Sequence, residues 1–326
     1  MTRVSPATAR NRAIVRSVRF ARKSARLALT NGFATPAVLC SFLAAMCLTP
    51  PVVCRAAPSS PADLLARPRV EETTFKSVDA TVAAQWDFPK RSPAPLVVLI
   101  PTAGAIDRNG LPPGVGDGDA KGVYQLLTEK LVAAGFAVFR YDKPGTGRSS
   151  RGAYSTERST ALEAYRRAVD HARIDRKRVF LIGHSSGTDS IAGIYSRYEA
   201  IAPPAGVVLL SSRVSEVEIT RITAPVLIVV GEHDPDDLYK YGRFAVEARE
   251  NARDKKYETD FVSIPDARHS LLVGADTDSG KRYSFDPRAS AAVLAWLRKR
   301  TGAAPGKGAD AHHVTRPKTT VSLVRH

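Results

Sequence analysis

The sequence predicts an α/β protein, a mainly parallel β-sheet covered by helices on both faces. Three observations carry this. Short continuous apolar runs such as Leu96–Ile100 and Val226–Val230 read as strands buried on both faces. Amphipathic runs at helical spacing lie between them. The two kinds alternate from residue 70 to residue 301, which is the pattern of strand–helix–strand units.

Taken in order, Val70–Ser77 and Thr81–Phe88 alternate like an antiparallel strand pair, and Leu96–Ile100 is the first doubly buried strand. Tyr124–Ala134 places Leu126, Leu127, Leu131 and Val132 at helical spacing, and Ala137–Tyr141 is the next strand. Ala161–Ala172 reads as a helix, Val179–Gly183 as a strand and Asp189–Tyr198 as a helix. Val207–Leu210 and Val226–Val230 are two more buried strands. Leu238–Ala252 is helical, Phe261–Ile264 is the last strand, and Ala289–Leu297 is the closing helix. Active sites of such sheets lie at the carboxyl ends of the strands.

The ends differ from this middle. Of a formal charge of +16, nine basic residues and no acid fall in residues 1–57, and a net +3 falls in 302–326, which leaves +4 for 58–301. The basic character is therefore in the ends, which argues against a nucleic-acid groove on the domain. Residues 1–57 have the order of a secretory leader: a basic stretch Arg3–Arg26, an apolar Ala37–Leu48, then Pro50-Pro51 and small residues through Ala57. Twelve apolar residues fall short of the ~20 that span a bilayer. The expectation is export to the periplasm or medium, with no stable membrane span once the leader is cleaved. Cys40, Cys47 and Cys54 all lie in this leader, so a chain starting near residue 58 has no thiol chemistry or disulfide. Residues 58–69 read as a linker rich in Pro, Ser and Ala, 70–301 as the domain, and 302–326 as a disordered tail.

The chemistry centres on Gly183-His184-Ser185-Ser186-Gly187, which follows the strand Val179–Gly183 and precedes a helix. A G-x-S-x-G segment in that setting is a nucleophile elbow. The turn is tight enough that bulk at either glycine would collide with a neighbouring strand or helix, and it lifts the serine hydroxyl above the sheet. Ser185 is the expected nucleophile. Ser186 is the second hydroxyl, off-centre between the glycines.

On these residues the chain resembles the α/β-hydrolase family over about 70–300. Within that family it is most similar to small lidless bacterial serine esterases that carry an HGSGPxDRDG-like segment after the third strand. Asp107-Arg108-Asn109-Gly110 matches the DRDG part, and Asp142-Lys-Pro-Gly145-Thr-Gly147-Arg-Ser149 matches a D-x-x-G-x-G-x-S turn after the fourth strand. The resemblance implies an α/β-hydrolase fold without a substantial lid and a chain order of serine, acid, histidine.

A serine hydroxyl needs a base, and the base needs a carboxylate to hold it. Of seven histidines, His171 and His184 precede or flank the serine, and His312, His313 and His326 lie in the tail, leaving His233 and His269. His269 stands on the loop after the last strand, where the family carries its base. Asp234 stands three residues after Gly231 at a strand end, where the family carries its acid. Glu232, Asp236, Asp237 and Asp266 are the alternative acids, and His233 reads as a surface or supporting histidine.

Two backbone N–H donors normally meet the developing oxyanion, worth about 3–4 kcal/mol each. One expected donor is Ser186, after the nucleophile. The other lies on the loop after Leu96–Ile100, where the family's His-Gly is replaced by Pro101-Thr102; Ala103 is the expected donor and Gly104 the alternative. Asp107 and Arg108 read as structural, a loop held by a buried Asp–Arg pair, although Arg108 could instead meet a substrate carboxylate.

Only fourteen residues separate Leu210 from Pro225, too few for an inserted helical lid, and Gly110–Lys121 is a Gly-rich loop that could partly cover the mouth. An open site favours short or water-soluble esters over long-chain lipids and argues against lid-dependent aminopeptidases and epoxide hydrolases. No metal cluster is evident and no cofactor is implied. The expected function is therefore a carboxylic ester hydrolase acting on a small-molecule ester, with no nucleic-acid partner. Two other classes use the same scaffold: a non-catalytic exported binding protein, and an acyltransferase or perhydrolase with the same three residues. The sequence leaves the oligomeric state open.

Overall fold

The computed structural model describes residues 69–115, 120–234, 238–252, 257–277 and 280–302. The leader, nearly all of the linker and the tail from residue 303 lie outside the described residues. So do 116–119 of the Gly-rich loop and Asp236 and Asp237 of the alternative acids.

The strands are β1 (Arg69–Ser77), β2 (Ala80–Phe88), β3 (Ala94–Ile100), β4 (Ala137–Tyr141), β5 (Ile174–His184), β6 (Gly206–Leu210), β7 (Val226–Gly231) and β8 (Thr259–Ile264), with a hairpin β9 (Leu272–Thr277) and β10 (Gly280–Phe285). The helices are α1 (Val123–Ala133), α2 (Glu157–Val169), α3 (Ser186–Ala192), α4 (Tyr195–Ile201), α5 (Glu216–Ile219), α6 (Leu238–Asn251) and α7 (Pro287–Thr301). β1 to β8 form one sheet in the order β1-β2-β4-β3-β5-β6-β7-β8. β1 and β2 pair antiparallel, as does β2 with β4, and every pairing from β4 to β8 is parallel.

The sheet is buried on both faces, which is why its strands read as unbroken apolar runs. Leu96, Val98, Leu181, Leu209 and Ile228 point to the side covered by α2, α3, α4 and α6. Val97, Leu99, Phe180, Ile182, Val208 and Val229 point to the side covered by α1 and α7. Each of these eleven buried apolar side chains contributes about 1.5–3 kcal/mol by leaving water.

The strand order sets where a site can form. After β3 the chain crosses to β4 on one side, and after β5 it crosses to β6 on the other. The carboxyl ends of β3 and β5 therefore flank a crevice at a topological switch point. The Pro101 loop and the Gly183–Gly187 segment are the two segments that leave those ends.

Several expectations are corrected in detail. The helix expected over Asp189–Tyr198 is two short helices, broken at Ile194, whose backbone is non-helical; Gly193 there lies against the Arg158 guanidinium, where a Cβ would come within 2.5 Å of its carbon. The helix expected from Ala161 starts at Glu157, because Thr156 and Ser159 form a reciprocal capping box. The single-turn helix α5 lies in the Leu210–Pro225 connection, and no larger lid is present among the described residues. The β9–β10 hairpin is an element the sequence reading places as loop. The closing helix is longer than its apolar core, running from a Pro287 start capped by Asp286 to Gly302 in the left-handed region.

Candidate active site

Ser185 sits between the end of β5 and the start of α3 with φ 52° and ψ −120°. A non-glycine residue in that region costs about 1–3 kcal/mol and persists only where its surroundings enforce it. Here they do. The Ser185 N–H donates to the Leu210 carbonyl at 2.9 Å, and the Thr188 N–H and hydroxyl donate to the Ser185 carbonyl at 2.9 and 2.5 Å. The flanking glycines allow the approach. A Cβ on Gly187 would fall 2.3 Å from the Ile100 carbonyl oxygen of β3, and one on Gly183 would fall 2.8 Å from Ile191 of α3. Both collisions match the reason for which the sequence reading needs glycine there. The Ser186 hydroxyl is fully buried and has no hydrogen-bond partner among the described residues, so it is not presented to a ligand.

The carboxyl ends of β7 and β8 bring the expected acid and base together. Asp234 Oδ2 accepts a hydrogen bond from His269 Nδ1 at 2.9 Å. The carboxylate is fully buried, whereas the imidazole is 31% exposed. That is the asymmetry expected of a base that must reach substrate while its anchor stays dry. The two loops are stitched by backbone bonds: Glu232 N–H to Ile264 O at 3.0 Å and His233 N–H to Ala267 O at 2.9 Å. Gly231 makes this possible, since a Cβ there would lie 2.3 Å from the Ala267 carbonyl oxygen. His233 and Glu232 are themselves exposed.

The His269 loop is also tied to the elbow. Its backbone carbonyl accepts from Ser211 Oγ at 2.8 Å and from His184 Nε2 at 3.1 Å. Among the described residues no hydrogen bond joins the Ser185 hydroxyl to the imidazole. On the other side, neither Ser186 N–H nor Ala103 N–H has an acceptor among the described residues. The Thr102 N–H is already taken, by the Tyr124 hydroxyl at 2.7 Å. The positive φ values of this loop fall at glycines, Gly104 (89°) and Gly110 (86°), and not at Thr102, so the threonine carries no such strain.

The family model described as serine aminopeptidase, S33, matches residues 115–219, which hold the elbow but not Asp234 or His269. Among solved structures, the esterase Est22 superposes with a TM-score of 0.52 at 12% identity, covering 74% of this chain and 83% of its own. A CIB-like hydrolase from Thermoplasma acidophilum gives 0.51 at 12% identity, covering 72% and 100%. A bacterial heroin esterase gives 0.50 at 17% identity, covering 71% and 84%. The chain has the α/β-hydrolase fold. No curated protein is similar to it in sequence. At these identities the structural likeness establishes the fold.

Within this fold the DRNG segment is structural, as expected, but its ion pair is not internal. Asp107 folds its own loop, accepting from the N–H groups of Asn109 and Leu111 at 2.8 and 2.9 Å. Arg108 reaches instead to Asp142 of the turn after β4, with Nη2 to Oδ2 at 2.9 Å and Nε and N–H to Oδ1 at 3.2 and 2.7 Å, and to Glu72 at 2.9 Å. Burial acts to raise the Asp142 carboxyl, but the Arg108 bonds and charge and the Arg148 N–H outweigh it and hold it below the ordinary range. Gly147 approaches that carboxylate so closely that a Cβ would lie 2.4 Å from its carbon. Arg108 is thus committed to β1 and to the turn after β4, not to a substrate.

This predicts a signed pH effect. The side chains of Arg108 and Asp142 are both nearly inaccessible, so Arg108→Met leaves a buried carboxylate uncompensated and should cost about 3–5 kcal/mol near neutral pH. The pair's contribution is present above the unfolded carboxylate pKa of about 3.9 and is lost as pH falls through the lower folded value. Urea unfolding of both proteins should therefore show a gap that narrows below pH 4. A gap independent of pH would refute the ion-pair account.

Three site residues are not assigned any role by the sequence reading: Tyr124, His184 and Ser211. His184 sits in the elbow itself, beside the serine, and Tyr124 starts an amphipathic helix. Their roles depend on which hydroxyls and ring nitrogens meet across the switch point, and no spacing along the chain encodes that. His171, by contrast, packs against Trp86 and Phe88 next to the edge strand β1, away from this site.

Proposed function

We propose that the chain is a serine hydrolase that cleaves short or water-soluble carboxylic esters through an acyl-enzyme on Ser185. The observation that carries this is the conjunction of a serine in an enforced strained elbow with a histidine–carboxylate pair whose loop is bonded to that elbow. Two of the similar solved structures are esterases by name, but a shared fold does not fix chemistry, so the reading rests on the residues.

In this reading Ser185 Oγ attacks the ester carbonyl carbon while His269 Nε2 takes its proton. The carbonyl oxygen becomes an oxyanion between the N–H groups of Ser186 and Ala103, both without another acceptor among the described residues. Asp234 stays ionised and holds Nδ1–H, which stabilises the imidazolium. The tetrahedral adduct collapses, the C–O bond to the alcohol breaks, and His269 returns the proton to the leaving oxygen. Water then attacks the acyl carbon, again deprotonated by His269, and the carboxylic acid leaves as Ser185 regains its proton.

The Leu210–Pro225 connection holds one helical turn and no lid, which favours small acyl groups. Turnover of p-nitrophenyl acetate should exceed that of p-nitrophenyl octanoate in kcat/KM, by about tenfold. A preference for octanoate would contradict the open-site reading. Hydrolysis should also persist in the presence of added alcohol; a dominant transfer product would point to an acyltransferase. The leader places the protein outside the cytoplasm in this reading. Fractionation of the producing cells should find the protein outside the cytoplasm with an amino terminus near residue 58, and protein retained in the cytoplasm with its leader intact would oppose export.

A further inference from the structure

We infer that Tyr124 and His184 are positioning residues, a hydrogen-bond relay that sets the spacing of the oxyanion loop and the base loop across Ser185. The inference deepens the hydrolase reading and rests on it. The relay is continuous. Thr102 N–H donates to the Tyr124 hydroxyl at 2.7 Å. That hydroxyl donates to His184 Nδ1 at 3.2 Å. His184 Nε2–H donates to the His269 carbonyl at 3.1 Å. A carbonyl only accepts, so Nε2 carries the hydrogen and Nδ1 is left to receive the hydroxyl.

Both relay side chains are buried, and their rings meet edge to face at 5.9 Å. Burial pulls the His184 pKa down to about 4 and raises that of the Tyr124 phenol, so each stays neutral and in the form the relay needs. The two ends are fixed by further bonds. Lys143 Nζ donates to the Thr102 carbonyl at 2.5 Å, and Ser211 Oγ donates to the same His269 carbonyl at 2.8 Å. Thr102 is thereby held on both sides of its peptide, one residue before the Ala103 N–H. His269 is held through its backbone, while its imidazole stays bound to Asp234.

This gives a physical account of Pro101-Thr102 in place of the family's His-Gly. The loop here is pinned by a tyrosine hydroxyl from α1, and its donor position does not depend on a glycine at 102. The relay touches no reacting atom. Its loss should displace the donor and the base, and so act on the transition state more than on bound substrate.

The test uses the full chain. Tyr124→Phe should lower kcat for p-nitrophenyl acetate by about 10- to 100-fold with KM changed less than about threefold. His184→Gln, which keeps one acceptor and one donor, should stay within about tenfold of wild type, whereas His184→Leu should lose at least as much as Tyr124→Phe. Amide exchange at Thr102 should be faster in Tyr124→Phe than in wild type. Wild-type kcat in folded Tyr124→Phe, or equal activities of the Gln and Leu variants, would overturn the relay. If Tyr124→Phe does not fold, the two His184 variants decide. If wild type itself turns over no ester, the hydrolase reading fails separately, and unchanged Thr102 exchange would then overturn the relay on its own terms.

Discussion

Ser185→Ala is expected to lower kcat for p-nitrophenyl acetate by about 10⁶-fold while leaving the fold intact. The fold should survive because the substitution removes one oxygen and nothing that shapes the elbow. The bonds that enforce φ 52° run through the Ser185 backbone N–H and carbonyl, and both remain. Alanine meets the same backbone strain as serine, so the urea midpoint should shift little. Residual catalysis should come from binding and from the Ser186 and Ala103 N–H groups. Steady-state assays with burst analysis on wild type and variant would read this. Ser186 cannot substitute, since its hydroxyl is buried beside the elbow without access. Retained turnover in the variant would remove Ser185 from the chemistry and the acyl-enzyme with it.

Asp234→Asn should lower kcat by about 10⁴-fold with KM nearly unchanged. The carboxylate is fully buried and accepts from His269 Nδ1 at 2.9 Å, which leaves Nε2 unprotonated and able to take a proton. An asparagine in its place can donate to Nδ1, which pushes the hydrogen to Nε2 and spoils the base. The variant also loses the charge that stabilises the imidazolium. Activity close to wild type would mean that another acid holds His269. Glu232 and Asp266, the alternatives within the described residues, are both exposed, so neither should rescue.

Much of this site is legible in the sequence because each part is written locally. The elbow shows as a glycine-bracketed serine between a doubly buried strand and a helix, and the structure supplies the collisions that make both glycines necessary. Asp234 and His269 show as polar residues just past strand ends, and the backbone bonds between their loops place them side by side. The parallel sheet shows as apolar runs because helices cover both of its faces. What stayed hidden is non-local. Arg108 was legible as a loop-holding residue, but its partner Asp142 is 34 positions away and joins only when β3 and β4 align. The relay joins the Thr102 and His269 loops by way of Tyr124 on α1 and His184 at the end of β5. The β9–β10 hairpin lies off the main sheet, so its strands lack the two-sided apolar pattern that marks the others. The room for Arg158 beside Gly193, next to the break at Ile194, involves a residue of another helix.

The most direct test of the central claim is covalent labelling of the full chain with a fluorophosphonate, followed by peptide mass spectrometry. A phosphonyl adduct on Ser185 that abolishes ester turnover, and that is missing from Ser185→Ala, is the predicted result. Folded wild-type protein that takes up no label, or takes it up on another residue, would contradict the assignment of Ser185 as an activated nucleophile.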